Sequence, residues 1–550
     1  MSLSDLPREG LLFVPLGGAG EIGMNLNLYA CDGQWLMVDL GMTFADPGLP
    51  GVDLVFPDPS FIEMMRDKLL GIVLTHGHED HIGAVPYLWP ELEVPIYATP
   101  FTASLVRLKL EDMGLHEEAP LIEVPLEGGL AIGPFHVRYL SLAHSIPEGN
   151  ALLITTRHGR VFHTGDWKLD DEPIIGRPTP PEMLRAVGDE GVLALVGDST
   201  NIFNAAPSGS EGKVGAALAK LVAGMKGRVV VTTFASNAAR IESLGEVARA
   251  SGRQLIVAGR SLERIIALAK RHGYLADLPP LVPEDAAGAL PPDKQLIVCT
   301  GCQGEPRAAL YRIAFGAHKH IAIGAGDTVI FSSKIIPGNE RALAQVYNQL
   351  AARDIDVVTE KDAFVHVSGH PSQPELADML RWIRPRLVVP VHGEMRHMKA
   401  HAAFAKKHGA PQTLVPRNGS VLRLAPEEPA ILGEVATGRL ALDGDDIVPE
   451  DSASIIERRR IAQHGYAFVG LTLNRAGRLA GPPMLAIKGV PGGEDAELRE
   501  IIDEAIADAL ARAASQDDGK LGETIRISVR RSIRAYCGKN ALTDVKIARI

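Results

Sequence analysis

Six consecutive residues, His76-Gly77-His78-Glu79-Asp80-His81, carry three imidazoles and two carboxylates. Imidazole and carboxylate are the usual ligands of zinc, and one tetrahedral ion cannot use so many donors from a single loop. The run therefore points to two metals. It follows the apolar stretch Gly71-Ile72-Val73-Leu74-Thr75, which reads as a buried strand, and precedes Ile82-Gly83-Ala84-Val85, which reads as the start of a helix. The candidate ligands thus sit on a loop at the C-terminal end of a strand.

Other apolar runs end in the same kind of side chain. Asp39 closes Leu36-Met37-Val38, His144 follows Leu140-Ser141-Leu142-Ala143, Asp166 ends Phe162-His163-Thr164-Gly165, and His392 closes Val388-Val389-Pro390-Val391. A lone His or Asp at a strand end is ordinarily structural. Here the six-residue run already demands further ligands, and loops from one edge of a rigid strand scaffold can converge on one site. Cys299-Thr300-Gly301-Cys302 has CxxC spacing but no second pair, so it reads as small residues at a strand–loop junction.

The elements that must position these residues fall into blocks. A chain of 550 residues exceeds one core and implies about three domains. From Leu11 to about Pro207, short strands alternate with Gly-rich turns, as in Leu12–Leu16, Trp35–Asp39, Val137–Leu142 and Ala151–Thr155. Over 208–365 the pattern becomes regular strand–helix units, with helices expected near 237–250, 261–272 and 306–315, which argues for a doubly wound parallel sheet. Strands of the first style resume over 366–445. Residues 446–460, rich in charge and turn formers, read as a linker to a C-terminal domain at 461–550. There a hairpin-like region spans Tyr466 to Val490, followed by a helical stripe of Leu498, Ile501, Ile502, Ala505, Ile506, Ala509 and Leu510. Such a stripe is usually intradomain core, with a subunit interface as the second reading.

Composition sets the class. Forty-six per cent apolar and 22 per cent charged residues describe an ordinary soluble protein, and a net charge of −11 argues against a globally basic nucleic-acid binder without excluding a local groove. Four scattered cysteines, a polar start at Met1–Gly10 and no long apolar run give no disulfide framework, signal peptide or membrane span; the expected location is cytoplasmic.

The ordered set Asp39, His76-x-His78-x-Asp80-His81, His144 and Asp166 resembles four of the motifs of the metallo-β-lactamase superfamily. The resemblance implies an αββα sandwich holding two Zn2+ ions per subunit. His76, His78 and His144 would hold one ion, Asp80, His81 and His392 the other, and Asp166 would bridge. Asp39 would fix the loop and orient ligands from behind. The inserted strand–helix block is similar to the β-CASP group of nucleases, with Asp198 matching motif A, His370 of His366-Val367-Ser368-Gly369-His370 motif B, and His392 motif C. The overall expectation is an α/β protein: a metallo-β-lactamase sandwich, an inserted β-CASP α/β domain and a small α+β C-terminal domain.

The phrases Leu16–Asn25, Phe234-Ala235-Ser236-Asn237, Thr300–Pro306, Gly326–Ser333, Ile335–Glu340 and Glu457–Arg460 further resemble the bacterial ribonuclease J family across essentially the whole chain. Cys302 departs from it, where a small Ser is more familiar. What this implies is a 5′-to-3′ exoribonuclease preferring 5′-monophosphate ends of single-stranded RNA, with endonuclease action also known in the family, working in mRNA decay and RNA maturation. His370, Asp80 and Asp198 would be catalytic. Ala235, Ser236, Asn237, His366, Val367, Ser368, Gly369 and His370 would form the 5′-phosphate pocket. Leu49, Gly51 and Asp443 would hold a structural Ca2+, although turn residues explain that loop equally well. Mn2+ or Mg2+ can replace zinc at such mixed N/O sites. The family also implies homodimers or homotetramers through C-terminal and β-CASP surfaces and partners from RNA-degradation complexes. The competing readings are a β-CASP DNA nuclease and a catalytically silent RNA-binding scaffold; scaffolds of that kind lose metal ligands, and this chain retains every one.

Overall fold

The computed structural model describes residues 5–513 and 517–550. They form two compact units, one of the residues up to Thr43 with Phe56–Gly438, the other of Phe44–Val55 with Arg439–Ile550.

Two sheets make the centre of the larger unit. An eight-stranded sheet runs in the order Ala430–Glu434, Ser420–Ala425, Leu11–Gly17, Leu26–Cys31, Gln34–Val38, Leu69–Val73, Ile96–Ala98, Leu121–Glu123. A seven-stranded sheet runs Gly129–Ile132, Phe135–Ser141, Asn150–Thr156, Gly159–His163, Ala194–Asp198, Leu387–Val391, Gln412–Thr413. One core joins them: Phe13, Tyr29, Leu36, Val38 and Val73 from the first pack with Val137, Tyr139, Ile154, Val161, Val196 and Val389 from the second. Alternate residues point outward, and helices cover them. Leu153, Phe162, Leu195 and Val388 meet the helices Pro181–Asp189, Gln373–Ile383 and Met395–Lys407, while Trp35 meets Phe61 of Ser60–Glu63 edge-on at 5.5 Å. With both faces covered, the central strands are near-continuous apolar runs. Pro390 is tolerated inside such a strand because its neighbour Gln412–Thr413 pairs only with Leu387 and Val388 and ends before reaching it.

The inserted block builds a separate, wholly parallel six-stranded sheet, ordered Leu281–Val282, Gln254–Ala258, Gln295–Cys299, Val229–Thr232, Thr328–Phe331, Asp356–Val358. Its helices Ala238–Ser251 and Arg260–Arg271 match the expected spacing, and apolar clusters lie on both faces. Here too the chain crosses the sheet as strand, helix, parallel strand.

The smaller unit corrects one expectation and decides between two readings of another. Residues 446–460 are not a linker: Arg439–Asp443 and Asp446–Pro449 form a hairpin, and Ala453–His464 is a helix. That helix reads as a linker because only Ile455 on it is buried; Arg458 and Arg459 hold it instead, bonding Asp443 and the Gly48 carbonyl. The apolar stripe of Ala496–Ala513 is core, not interface. Leu498, Ile502, Ile506 and Ala509 are fully buried with Leu521, Ile525, Val529 and Ile533 of the helix Asp518–Cys537, over the sheet Met484–Lys488, Tyr466–Leu473, Leu542–Arg549.

Candidate metal centre

Every candidate ligand stands at or just beyond the C-terminal end of a strand. Asp39 follows Gln34–Val38, the His76–His81 run follows Leu69–Val73, His144 follows Phe135–Ser141, Asp166 follows Gly159–His163, and His392 follows Leu387–Val391. The helix after the His run begins earlier than the apolar pattern suggests, at Glu79, so Asp80 and His81 are held in a helical turn. Asp39 and His392 adopt left-handed backbone, φ 63° and 49°. This conformation costs a non-glycine residue about 1–3 kcal/mol and persists where the surroundings over-determine it, often at functional sites.

The side chains gather into two sets sharing one carboxylate. In the first, His76 Nε2 and His144 Nε2 lie 3.1 and 3.0 Å from His78 Nδ1, with Asp166 Oδ2 at 3.8 and 3.9 Å from the same two Nε2 atoms. In the second, Asp166 Oδ2 is 3.2 Å from His81 Nε2 and 3.5 Å from His392 Nε2. Asp80 Oδ2 is 3.6 and 3.7 Å from those nitrogens. Ligand atoms of a tetrahedral zinc, at about 2.0–2.1 Å from the ion, are themselves about 3.3 Å apart. Both sets have that size.

Hydrogen bonds on the far side of each ring decide which nitrogen keeps its lone pair. His81 Nδ1 meets Asp39 Oδ2 at 2.7 Å, His144 Nδ1 meets the Gly369 carbonyl at 2.7 Å, and His392 Nδ1 meets Asn25 Oδ1 at 3.0 Å. The Thr75 hydroxyl donates to Asp39 at 2.9 Å and so accepts from His76 Nδ1 at 3.0 Å. In its neutral form each of these four imidazoles therefore turns an unprotonated Nε2 inward, as a metal ligand requires. Asp166 Oδ1 is buried with no hydrogen-bond partner. An orphaned, buried carboxylate oxygen among inward lone pairs fits a cation.

Charge agrees. Burial, then the neighbouring His81, pushes His76 well below the ordinary histidine range, burial brings His78 down to about 4, and burial then His78 lowers His144. The first set is thus three neutral imidazoles. Burial acts the same way on His81, yet Asp166, Asp80 and Asp39 overcome it and raise its pKa. The second set has negative charge in excess, the demand a divalent ion satisfies.

His370 stands beside the second set with Nδ1 2.8 Å from Asp198 Oδ2 and 3.8 Å from Asp166 Oδ2. Burial opposes its charged form, but Asp198 and Asp166 raise its pKa to about 9. Asp198 Oδ1 accepts from the Thr200 N–H at 2.8 Å, which fixes the carboxylate. Gly369 has no room for a side chain: a Cβ there would lie 2.9 Å from His144 Cε1.

The remaining candidates are placed as follows. Ala235, Ser236 and Asn237 follow the strand Val229–Thr232, and Asn237 caps the helix Ala238–Ser251 by accepting from the Arg240 N–H. Ser368 Oγ accepts from the His370 N–H at 3.1 Å, and Val367 is buried. His366 Nδ1 is buried without a partner, and burial, then Arg240, Lys334 and Lys168, lowers its pKa to about 3. Of the calcium candidates, Leu49 is buried, Gly51 has φ 79° beside Arg458, and the Asp443 carboxylate is gripped by both Nη atoms of Arg458 at 2.8 and 2.5 Å. A guanidinium already occupies the oxygens that a cation would use. Asn25 and Thr75, which orient His392 and His76, carry no sequence signal of their own beyond Asn25 lying in the family-like N-terminal phrase.

Two covered sheets with ligands at one edge, two ligand sets and a parallel-sheet insertion define a metallo-β-lactamase-fold hydrolase of β-CASP organisation. The comparisons agree. Residues 26–201 match the metallo-beta-lactamase superfamily, 226–350 the beta-CASP domain of ribonuclease J, 354–416 the Zn-dependent metallo-hydrolase RNA specificity domain, and 453–549 the ribonuclease J C-terminal domain. Ribonuclease J of Sinorhizobium meliloti is 42% identical over 98% of both chains, and that of Mycolicibacterium smegmatis 38% over 95% of this chain and 94% of its own. Ribonuclease J 1 of Streptococcus pyogenes is 35% identical over 97% and 96%. A crystal structure of a protein of unknown function from Enterococcus faecalis shares the fold, with TM-score 0.52 and 17% identity over 75% of this chain and 99% of that one. The chain belongs to the ribonuclease J family.

Proposed function

We propose that this chain is a metal-dependent ribonuclease that shortens single-stranded RNA from the 5′ end, preferring a 5′-monophosphate, and also cleaves internally. The observation that carries the reading is the pair of ligand sets joined at Asp166, with His370 of the Val365–His370 loop against them. Two bound divalent ions would lower the pKa of a water and neutralise charge on the phosphoryl oxygens. Asp166 spans the two sets, and Asp80 completes the second. His370, its Nδ1 held by Asp198, has Nε2 free to give a proton to the leaving 3′-oxygen. The Ser368 hydroxyl, His366 and the helix start at Ser236-Asn237 offer donors for a terminal phosphate. Both segments bond to Arg240, Asn237 at its N–H and Val365 at its side chain. Family membership favours RNA over DNA as substrate, and the complete ligand sets argue against a silent scaffold.

The test compares one oligonucleotide as 5′-monophosphate RNA, 5′-triphosphate RNA and DNA. The monophosphate RNA is expected to be degraded at least tenfold faster, releasing mononucleotides. Equal rates on all three would overturn the substrate assignment.

A further inference from the structure

Arg240 and Lys168 are among the largest side chains that the described chain buries completely, 0% and 1% exposed. Neither is a candidate ligand, and both are tied into one ring of contacts. Lys168 lies two residues after Asp166, and its N–H donates to Ala143, next to His144, at 2.8 Å. Its Nζ reaches Asp170 Oδ2 at 2.9 Å and the Gly209 carbonyl at 3.3 Å. The same Asp170 oxygen accepts from the Glu211 N–H at 2.9 Å. Glu211 Oε2 in turn accepts from Arg240 Nη2 at 2.9 Å and Nε at 3.3 Å. Arg240 Nη1 donates to the carbonyls of Ser332 at 3.0 Å and Val365 at 2.9 Å. Val365 opens the loop to His370, and Gly369 of that loop accepts from His144 at 2.7 Å, which closes the ring.

Four buried charges, two of each sign, are an expensive way to hold a loop. Desolvation makes such groups no more stabilising than well-packed apolar residues of equal volume, and what they can add is a single defined geometry. A guanidinium fork, unlike a methyl group, fixes direction as well as distance. We infer that Arg240, Glu211, Asp170 and Lys168 are positioning residues that set the Val365–His370 loop against the metal ligands, and so control how RNA is engaged rather than the metal chemistry itself. The inference rests on the proposed ribonuclease reading for its substrate, but not for its geometry.

The test uses the full-length, metal-loaded protein with Arg240→Lys, Glu211→Gln, and the paired apolar variant Arg240→Met/Glu211→Leu, which keeps a folded protein available if the single changes unfold. Three quantities are read: hydrolysis of bis(p-nitrophenyl) phosphate at saturating metal, which needs the metal centre but, with its good leaving group, no proton from His370; kcat and KM on 5′-monophosphate RNA; and hydrogen exchange of the 362–372 peptide. The expected result is diester hydrolysis within about twofold of the parent, RNA kcat/KM down at least tenfold, and faster exchange confined to that peptide, with Arg240→Lys the mildest change. Parallel loss on both substrates, or a folded apolar pair with parental RNA kinetics and exchange, would overturn the inference. Failure of the ribonuclease reading is separate: it shows in the parent protein as no RNA turnover, while the exchange data still decide the positioning role.

Discussion

Four of the five ligand imidazoles, those of His76, His81, His144 and His392, have a partner behind them, and that partner decides what the ring can offer an ion. Thr75 is the most economical of these: one hydroxyl orders both Asp39 and His76. Thr75→Val keeps the shape of the side chain and removes that hydroxyl. Lost ligand orientation typically costs 10–100-fold in metal affinity, so this variant should bind zinc at least tenfold more weakly in chelator competition, with an unchanged far-ultraviolet spectrum. The ligands themselves were legible in the sequence because four of them fall within six residues. Thr75 and Asn25 were not, since one polar residue at the end of an apolar run has no periodicity to betray it. Buried histidines that are not candidate ligands contribute to the pH response. His163, against the Tyr29 hydroxyl, and His401, against the Ser199 hydroxyl, are brought by burial to about 4. Between pH 6.5 and 4 the unfolded chain therefore binds protons that the folded chain does not, and stability rises with pH across that window and is lost as pH falls through it. At pH 5 each histidine should cost on the order of 2 kcal/mol. In urea titrations at pH 7 and pH 5, His401→Gln should lose less stability on acidification than the parent; an equal loss would contradict the assignment.

At the scale of elements, strands and their order of appearance followed from apolar runs, and the parallel inserted sheet followed from its strand–helix alternation. The hairpin and helix over 439–464 did not. Their cohesion comes from ion pairs, such as Arg458 with Asp443, between residues that look like linker composition when read singly. The opposite holds for Ala496–Ala513, where the apolar stripe was plain but its partner was not, because the facing helix lies further along the chain. Because that stripe is core, Ile506→Ala should destabilise the C-terminal unit by about 2–5 kcal/mol, read as a lowered urea midpoint. The mass in solution should stay the same in native buffer. A change in oligomer size without loss of stability would mean that the stripe is an interface after all.

Across the whole molecule, the metal centre draws on residues from Asn25 to His392, and the inserted sheet lies in sequence between ligands that meet in space. The contacts that fasten insertion to sandwich, from Asp170 through Glu211 to Arg240 and Val365, are the least legible part: each is an ordinary charged or apolar residue whose partner is tens of residues away. The central claim is that two ions share Asp166 and act together on RNA. It is tested most directly by adding Zn2+ or Mn2+ stepwise to metal-free protein and measuring RNA hydrolysis against metal bound per chain. The rate should stay low through the first equivalent and reach its plateau at two. A plateau at one equivalent, or full activity without added metal in the presence of chelator, would contradict it.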